Sequence, residues 1–213
     1  MAEIINKIQL QYLKSFHSQK DELLCELENY AQENKIPIID WLSAEFLKQL
    51  LIIHKPKNVL EIGMAIAYST IIIAKNTSDD TQIITLEKSK PNIKIAKDNI
   101  KKSGLKNKIN IIEGDALETI PNLDKKFDFI FLDADKEDYI ELFNLALPKL
   151  NKGGVILIDN LLWHGNIATK RPSLEFKYSA YKIKEFNRVF MSCNELIKNI
   201  YPIGDGLGVG IKL

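Results

Sequence analysis

The stretch Val59-Leu60-Glu61-Ile62-Gly63-Met64-Ala65-Ile66-Ala67-Tyr68-Ser69 decides the fold. A short apolar run ends in an acid and a glycine, and a helix-like pattern starts near Tyr68-Ser69. That is strand, loop, helix. In doubly wound sheets the loop after the first strand opens the crevice where ligands bind. Gly63 allows close approach of the backbone to a ligand, and the free N–H groups of the next helix can meet a carboxylate. The G-x-G-x-x-G pattern of a dinucleotide site is absent, since Gly63 is followed by Ala67. Alone, the loop fits many nucleotide-like ligands.

Working downstream, β-branched runs recur at 82–86, 109–112, 127–132 and 154–158 after the first at 58–62. Amphipathic stretches at 69–76, 92–103 and 137–147 lie between them. Strands alternating with helices, and apolar on both faces, predict a parallel sheet covered on both sides. Two last strand-like runs, 196–201 and 206–213, flank Gly204-Asp205-Gly206, which predicts an antiparallel hairpin. Upstream, apolar residues recur at helical spacing through Ile5, Ile8, Tyr12 and Phe16, then through Leu23, Leu24, Leu27 and Tyr30. Pro37 interrupts this pattern, and a helix over 40–53 stops near Pro56. The expectation is one domain over 1–213, with a helical extension at 1–55 and an α/β core at 56–213.

Composition narrows the function. The chain is 46% hydrophobic and 27% charged, as in a soluble globule. No apolar run approaches the ~18 residues of a membrane span. Met1-Ala2-Glu3 opens no signal pattern, so a cytoplasmic protein is expected. Cys25 and Cys193 form no CxxC unit, and the only histidines are His17, His54 and His164. A disulfide framework, a zinc cluster and a histidine-based metal site are therefore poorly supplied. Net charge is +1, which gives no global pull on nucleic acid. Residues 88–108 nevertheless carry eight Lys and one Asp, and 170–188 carry six Lys/Arg and two Glu. Such runs are commonly a solvated helix face.

The strand tips carry the chemistry. Glu87 ends the second strand, where an acid can accept both hydrogen bonds of a ribose diol. Asp115 follows the third, where it can face an adenine amino group. Helix N-capping is the plain alternative for both. The fourth and fifth strands lead into Asp133-Ala134-Asp135-Lys136 and Asp159-Asn160. Asp133, Asp159 and Asn160 present oxygens that suit Mg²⁺, Ca²⁺ or Mn²⁺. Such a cation lowers the pKa of a neighbouring hydroxyl. Lys136 can serve as a base if its own pKa is depressed.

At these residues the chain resembles the cation-dependent class I O-methyltransferases of the caffeoyl-CoA and catechol type. The matching stretches are 60–69, 85–87, 114–116, 129–139 and 159–165, and the likeness runs from about Pro37 onward. The resemblance implies a Rossmann-like seven-stranded, mostly parallel sheet with helices on both faces, a reversed last strand and extra N-terminal helices. It implies S-adenosylmethionine as cofactor, and homodimers. Asp133, Asp159 and Asn160 correspond to metal ligands and Lys136 to the catalytic base. Ile39, Glu61, Gly63, Ser69, Glu87, Asp115 and Ala116, with Asp133, correspond to cofactor contacts. Two residues depart from the family pattern: Ala67 replaces a usual glycine and Met64 a small residue. An added methyl at a close-approach position is expected to weaken cofactor binding by about 1 kcal/mol.

Within that family, the chain is most similar to the bacterial tRNA 5-hydroxyuridine methyltransferases, which make 5-methoxyuridine at the wobble position. The residues concerned are Tyr30-Ala31, Ile36-Pro37-Ile38, 159–165 and Pro202-Ile203-Gly204-Asp205-Gly206-Leu207. Tyr178, Tyr181 and Phe186 interleave with the basic run at 170–188, a pattern that can stack bases and meet phosphates. The alternative acceptor is a small catechol-like phenol. A non-catalytic cofactor- or RNA-binding module is the third reading.

Overall fold

A computed structural model describes residues 6–17, 21–169 and 171–213. Met1-Ala2-Glu3, Ile5 and Lys170, used above, lie outside the described residues.

Three helices precede the sheet: α1 (Lys7–Lys14), α2 (Glu22–Asn34) and α3 (Trp41–His54). Asp21 and Asp40 cap α2 and α3 by accepting the backbone N–H of Leu24 (3.1 Å) and Leu42 (2.9 Å). Both helices end on a left-handed lysine, Lys35 and Lys55. Leu24, Leu27, Leu47 and Leu51 are buried, but α1 buries nothing, and its Ile8 and Tyr12, with Phe16 just beyond it, stay exposed.

From there strands and helices alternate: β1 (Asn58–Ile62), α4 (Tyr68–Lys75), β2 (Gln82–Glu87), α5 (Lys90–Ser103), β3 (Ile109–Glu113), the short α6 (Ala116–Thr119), β4 (Phe127–Leu132), α7 (Tyr139–Ala146), β5 (Leu150–Ile158), α8 (Lys177–Ser192), β6 (Leu196–Tyr201) and β7 (Leu207–Lys212). The sheet order is β3-β2-β1-β4-β5-β7-β6. Strands β1 to β5 pair in parallel, and β7 runs antiparallel to both β5 and β6. This is the expected seven-stranded Rossmann-like sheet with its last strand reversed.

Two apolar layers flank it. Side chains alternate along a strand, so Phe129 and Phe131 of β4 join α2, α3, α4 and α5 on one face. Ile130 and Leu132 join α7 and α8 on the other. Two elements depart from expectation. Helix α4 is not amphipathic: Tyr68 through Ala74 are all buried, because α2 and α3 cover the side turned away from the sheet. Strand β5 starts at Leu150 rather than 154, because Leu150 pairs with Phe127 ahead of an irregularity in the ladder. Residues 151–154 thus form an irregularity inside the strand. Among the described residues, no helix is long and apolar enough to cross a membrane.

Candidate active site

Parallel register brings the tips of β1, β2, β3, β4 and β5 to one sheet edge, where a cleft of about 750 Å³ opens. Ile39, Gly63, Ser69, Glu87, Asp115 and Ala116 line one half. Asp133, Lys136, Asp159 and Asn160 line the other. Glu61 does not line it.

In the first half, the loop after β1 is fixed from below and from the side. Glu61 is fully buried, and its carboxylate accepts hydrogen bonds from Ser69 Oγ (2.6 Å), Thr70 Oγ1 (2.5 Å) and Thr85 Oγ1 (2.5 Å). Burial pushes its pKa up to about 7 against the pull of those three hydroxyls. Glu61 therefore pins the β1–α4 junction to β2 from beneath the ligand space. Glu87 lines the cleft, yet both its oxygens accept backbone N–H groups, from Ala65 (2.8 Å) and Ser89 (2.8 Å). Asp115 caps α6 through Leu117 N–H (2.9 Å) while facing the cleft. Capping and cleft-lining coexist at this residue.

The close approach made by Gly63 is to protein. At φ +98°, a Cβ there would stand 2.0 Å from the Asp133 carbonyl oxygen. Ala67 also differs from expectation. Its methyl lies in the apolar core, away from the cleft. What it costs is backbone strain: φ is +69° at Ala67 and +46° at Ala65, and a non-glycine residue there loses about 1–2 kcal/mol. Met64 is buried, with one side on the cleft and the other in the core.

In the second half, the ladder continues past the strand ends. Asp133 N–H donates to Ile62 O (3.0 Å) and Asp159 N–H to Leu132 O (3.1 Å), so neighbouring tips carry the two acids. Asp159 is 1% exposed. Burial first, then the Asp133 charge, raises its pKa well above the usual carboxylate range. Lys136 Nζ donates to Asp133 Oδ1 (2.8 Å) and Ala134 O (3.0 Å) and sits over the Tyr139 and Trp163 rings. Burial is the strongest single influence and works against its charge, but Asp133 and Tyr139 together outweigh it and raise the pKa above the ordinary lysine value. The condition for Lys136 to act as a base, a depressed pKa, is thus not met while Asp133 pairs with it.

Sequence reasoning missed two residues here. Tyr139, read only as part of a helix, is buried and its hydroxyl donates to Asp159 O (3.1 Å). Asp205, read only as part of a turn, accepts from Asn160 Nδ2 (3.3 Å) and from His164 N–H (2.5 Å). The Gly-Asp-Gly spacing was the available signal. Asn160, Trp163 and His164 all sit at positive φ (+63°, +45° and +53°), a concentration of strain typical of functional loops. Among the described residues, no group of three or more His, Cys, Asp or Glu side chains is disposed to hold a metal ion. A cation between Asp133 and Asp159 would thus need the Asn160 amide oxygen as well.

Solved structures share this architecture. A Staphylococcus aureus protein assigned as a caffeoyl-CoA O-methyltransferase superposes with a TM-score of 0.90 at 33% identity, covering 97% of this chain and 100% of that one. The Bacillus cereus O-methyltransferase in complex with SAH superposes at 0.82 and 26% identity, covering 95% and 96%. Fold and cleft thus define a Rossmann-like methyltransferase. The O-methyltransferase family model matches residues 14–213. Caffeoyl-CoA O-methyltransferase 5 of Nicotiana tabacum is 33% identical over 172 residues, which are 76% of this chain and 72% of that protein. The chain belongs to the O-methyltransferase family, and the reading as a non-catalytic binding module gives way to a methyl-transferring enzyme.

Proposed function

We propose that this enzyme uses S-adenosylmethionine and a divalent cation, preferably Mg²⁺ (Ca²⁺ or Mn²⁺ being alternatives), to methylate 5-hydroxyuridine at the tRNA wobble position, giving 5-methoxyuridine. One observation carries the reading: Asp133, Asp159 and Asn160 share a single cleft with the loop after β1 and with Glu87 and Asp115 at the tips of β2 and β3. Two carboxylates and a carboxamide oxygen form an all-oxygen set suited to a hard cation. Asp159, buried beside Asp133, is the acid whose charge most needs one. Bound there, a cation would lower the pKa of an acceptor hydroxyl.

The chain's own residues do the rest. Glu87 and Asp115 are the acids we assign to the ribose and adenine of the cofactor, and Gly63, Ser69 and Ala116 line the same cleft. Ile39 adds a buried apolar wall to the same cleft. The acceptor oxygen attacks the methyl carbon as the carbon–sulfur bond breaks, so the protein must hold the two in line. Lys136 is the group beside Asp133 that can receive the hydroxyl proton. Asp133 now holds that amine protonated. Its role as base begins when the Asp133 charge is committed elsewhere.

Helix α8 supports tRNA as acceptor. Lys177, Tyr181, Lys184 and Arg188 recur at helical spacing and are exposed, with Tyr178 beside them. Ser179, in the first turn of that helix, lines the cleft, so the basic and aromatic face begins at the site's mouth. Phe186 does not belong to it, since it is fully buried against Tyr139 and Phe143. A catechol-like phenol is the second reading, favoured by the caffeoyl-CoA O-methyltransferases among the relatives. We also propose a homodimer, on the exposed Ile8 and Tyr12 of α1 and Phe16 just beyond it.

The deciding experiment offers tRNA from a strain lacking this protein, with Mg²⁺ or with EDTA. Label in 5-methoxyuridine only with Mg²⁺ is the expected result. Turnover of a simple catechol with no label in tRNA would transfer the proposal to the phenol.

A further inference from the structure

The turn between β6 and β7 packs behind the cleft, against the segment that follows Asp159-Asn160. Gly206 O accepts Leu161 N–H (2.9 Å) and Asp205 O accepts Leu162 N–H (2.9 Å), so its backbone is bonded to the segment just after Asp159-Asn160. The Asp205 side chain, only 11% exposed, faces the same segment. One oxygen accepts His164 N–H at 2.5 Å, and the other lies 3.3 Å from Asn160 Nδ2 and 3.5 Å from His164 Nδ1.

A carboxylate only accepts hydrogen bonds, whereas a carboxamide has one donating and one accepting end. Asn160 placed against Asp205 must therefore turn its NH₂ toward that acid. Its carbonyl oxygen is then left to face the cleft. Nothing in the rotamer of an asparagine would otherwise make this choice, because the two ends have nearly the same shape. We propose that Asp205 is a positioning residue that fixes which end of the Asn160 amide faces the cation. The inference rests on the cation reading above and adds a residue to it. Partners of this outer kind commonly alter metal affinity by about 10–100-fold.

The test uses Mn²⁺ titrated calorimetrically into the full chain, with thermal melting and S-adenosylmethionine affinity as controls. Asp205→Asn keeps the shape, holds its oxygen on His164 N–H and turns its own NH₂ toward Asn160, so it selects the wrong amide end. It is expected to weaken Mn²⁺ binding about tenfold while cofactor affinity stays the same. Asn160→Asp has two equivalent oxygens and needs no selection. In that background the added Asp205→Asn removes an acid–acid contact, and is expected to tighten Mn²⁺ binding. A residue that merely supports the loop would weaken binding in both backgrounds. If Asp205→Asn alone does not fold, Asn160→Asp is compared with the double variant, and tighter binding by the double variant supports the proposal. Unchanged affinity in Asp205→Asn, or equal weakening in both backgrounds, would overturn it. Absence of Mn²⁺ binding by the unaltered chain would instead sink the cation reading, and this inference with it.

Discussion

Replacing Gly63 by alanine puts a methyl carbon 2.0 Å from Asp133 O and 2.8 Å from Asp133 C. No side-chain rotation relieves this, because both partners are backbone. In a close-packed interior, the Asp133 peptide must retreat by about 1 Å or more. That retreat strains the Asp133 N–H to Ile62 O bond, now 3.0 Å. Overpacking costs about 1–3 kcal/mol, and an alanine at φ +98° adds about 1–2 kcal/mol. Together they predict a loss of roughly 2–5 kcal/mol, or a melting point lower by about 4–20 °C for a domain of this size. Gly104→Ala is the control. Its φ is +73° and nothing lies within 4 Å of the new Cβ, so only the backbone cost of about 1–2 kcal/mol applies. Thermal melts of both variants measure the difference, and methyl transfer at a temperature where both are folded measures the displaced Asp133. A misplacement near 1 Å can cost about 10²-fold in rate. Equal melting losses in the two variants, or full activity in Gly63→Ala, would refute the contact reasoning.

Asp159→Ala should abolish methyl transfer while calorimetry still detects S-adenosylmethionine binding; retained turnover would remove the cation from the reaction. Glu61 has a folded-state pKa of about 7 against an ordinary 4.5. The folded form thus keeps a proton that the unfolded chain loses, so stability falls as pH rises from 4.5 to about 7, by roughly 3 kcal/mol, and is flat on either side. Glu61→Gln should flatten that slope in melts taken between pH 5 and 7.5, and an unchanged slope would dismiss the buried acid as its source. Removing Lys184 and Arg188 should lower tRNA affinity and reduce the salt dependence of binding by about one counterion per charge lost. Methylation of a small catechol should not change in that variant, and a parallel loss on both substrates would argue against α8 as an RNA surface.

Much of the molecule is legible in the sequence because its signals are local. The strand runs, the acid at each tip and the Gly204-Asp205-Gly206 turn all stand where the sheet uses them. What escaped depends on contacts between distant segments. Nothing local tells that α4 is covered by α2 and α3, or that the Ala67 methyl points into the core. The same holds for Gly63, whose close neighbour is the peptide of Asp133. Glu61 had the right residue type for a ligand contact, but its three hydroxyl partners come from α4 and β2 and cover it completely. Lys136 and Asp133 are only three residues apart, but the spacing does not tell that the amine is covered by Trp163 from a later loop.

Strand β7 threads between β5 and β6, and this has a consequence during synthesis. A growing chain emerges amino end first, so the cofactor loop and the Asp133 and Asp159 tips exist well before their last neighbour does. Until residues 205–212 leave the ribosome, β5 presents a bare edge, open to pairing with other chains. A messenger truncated upstream of Asp205 would therefore yield an inactive and aggregation-prone product rather than a weakened enzyme.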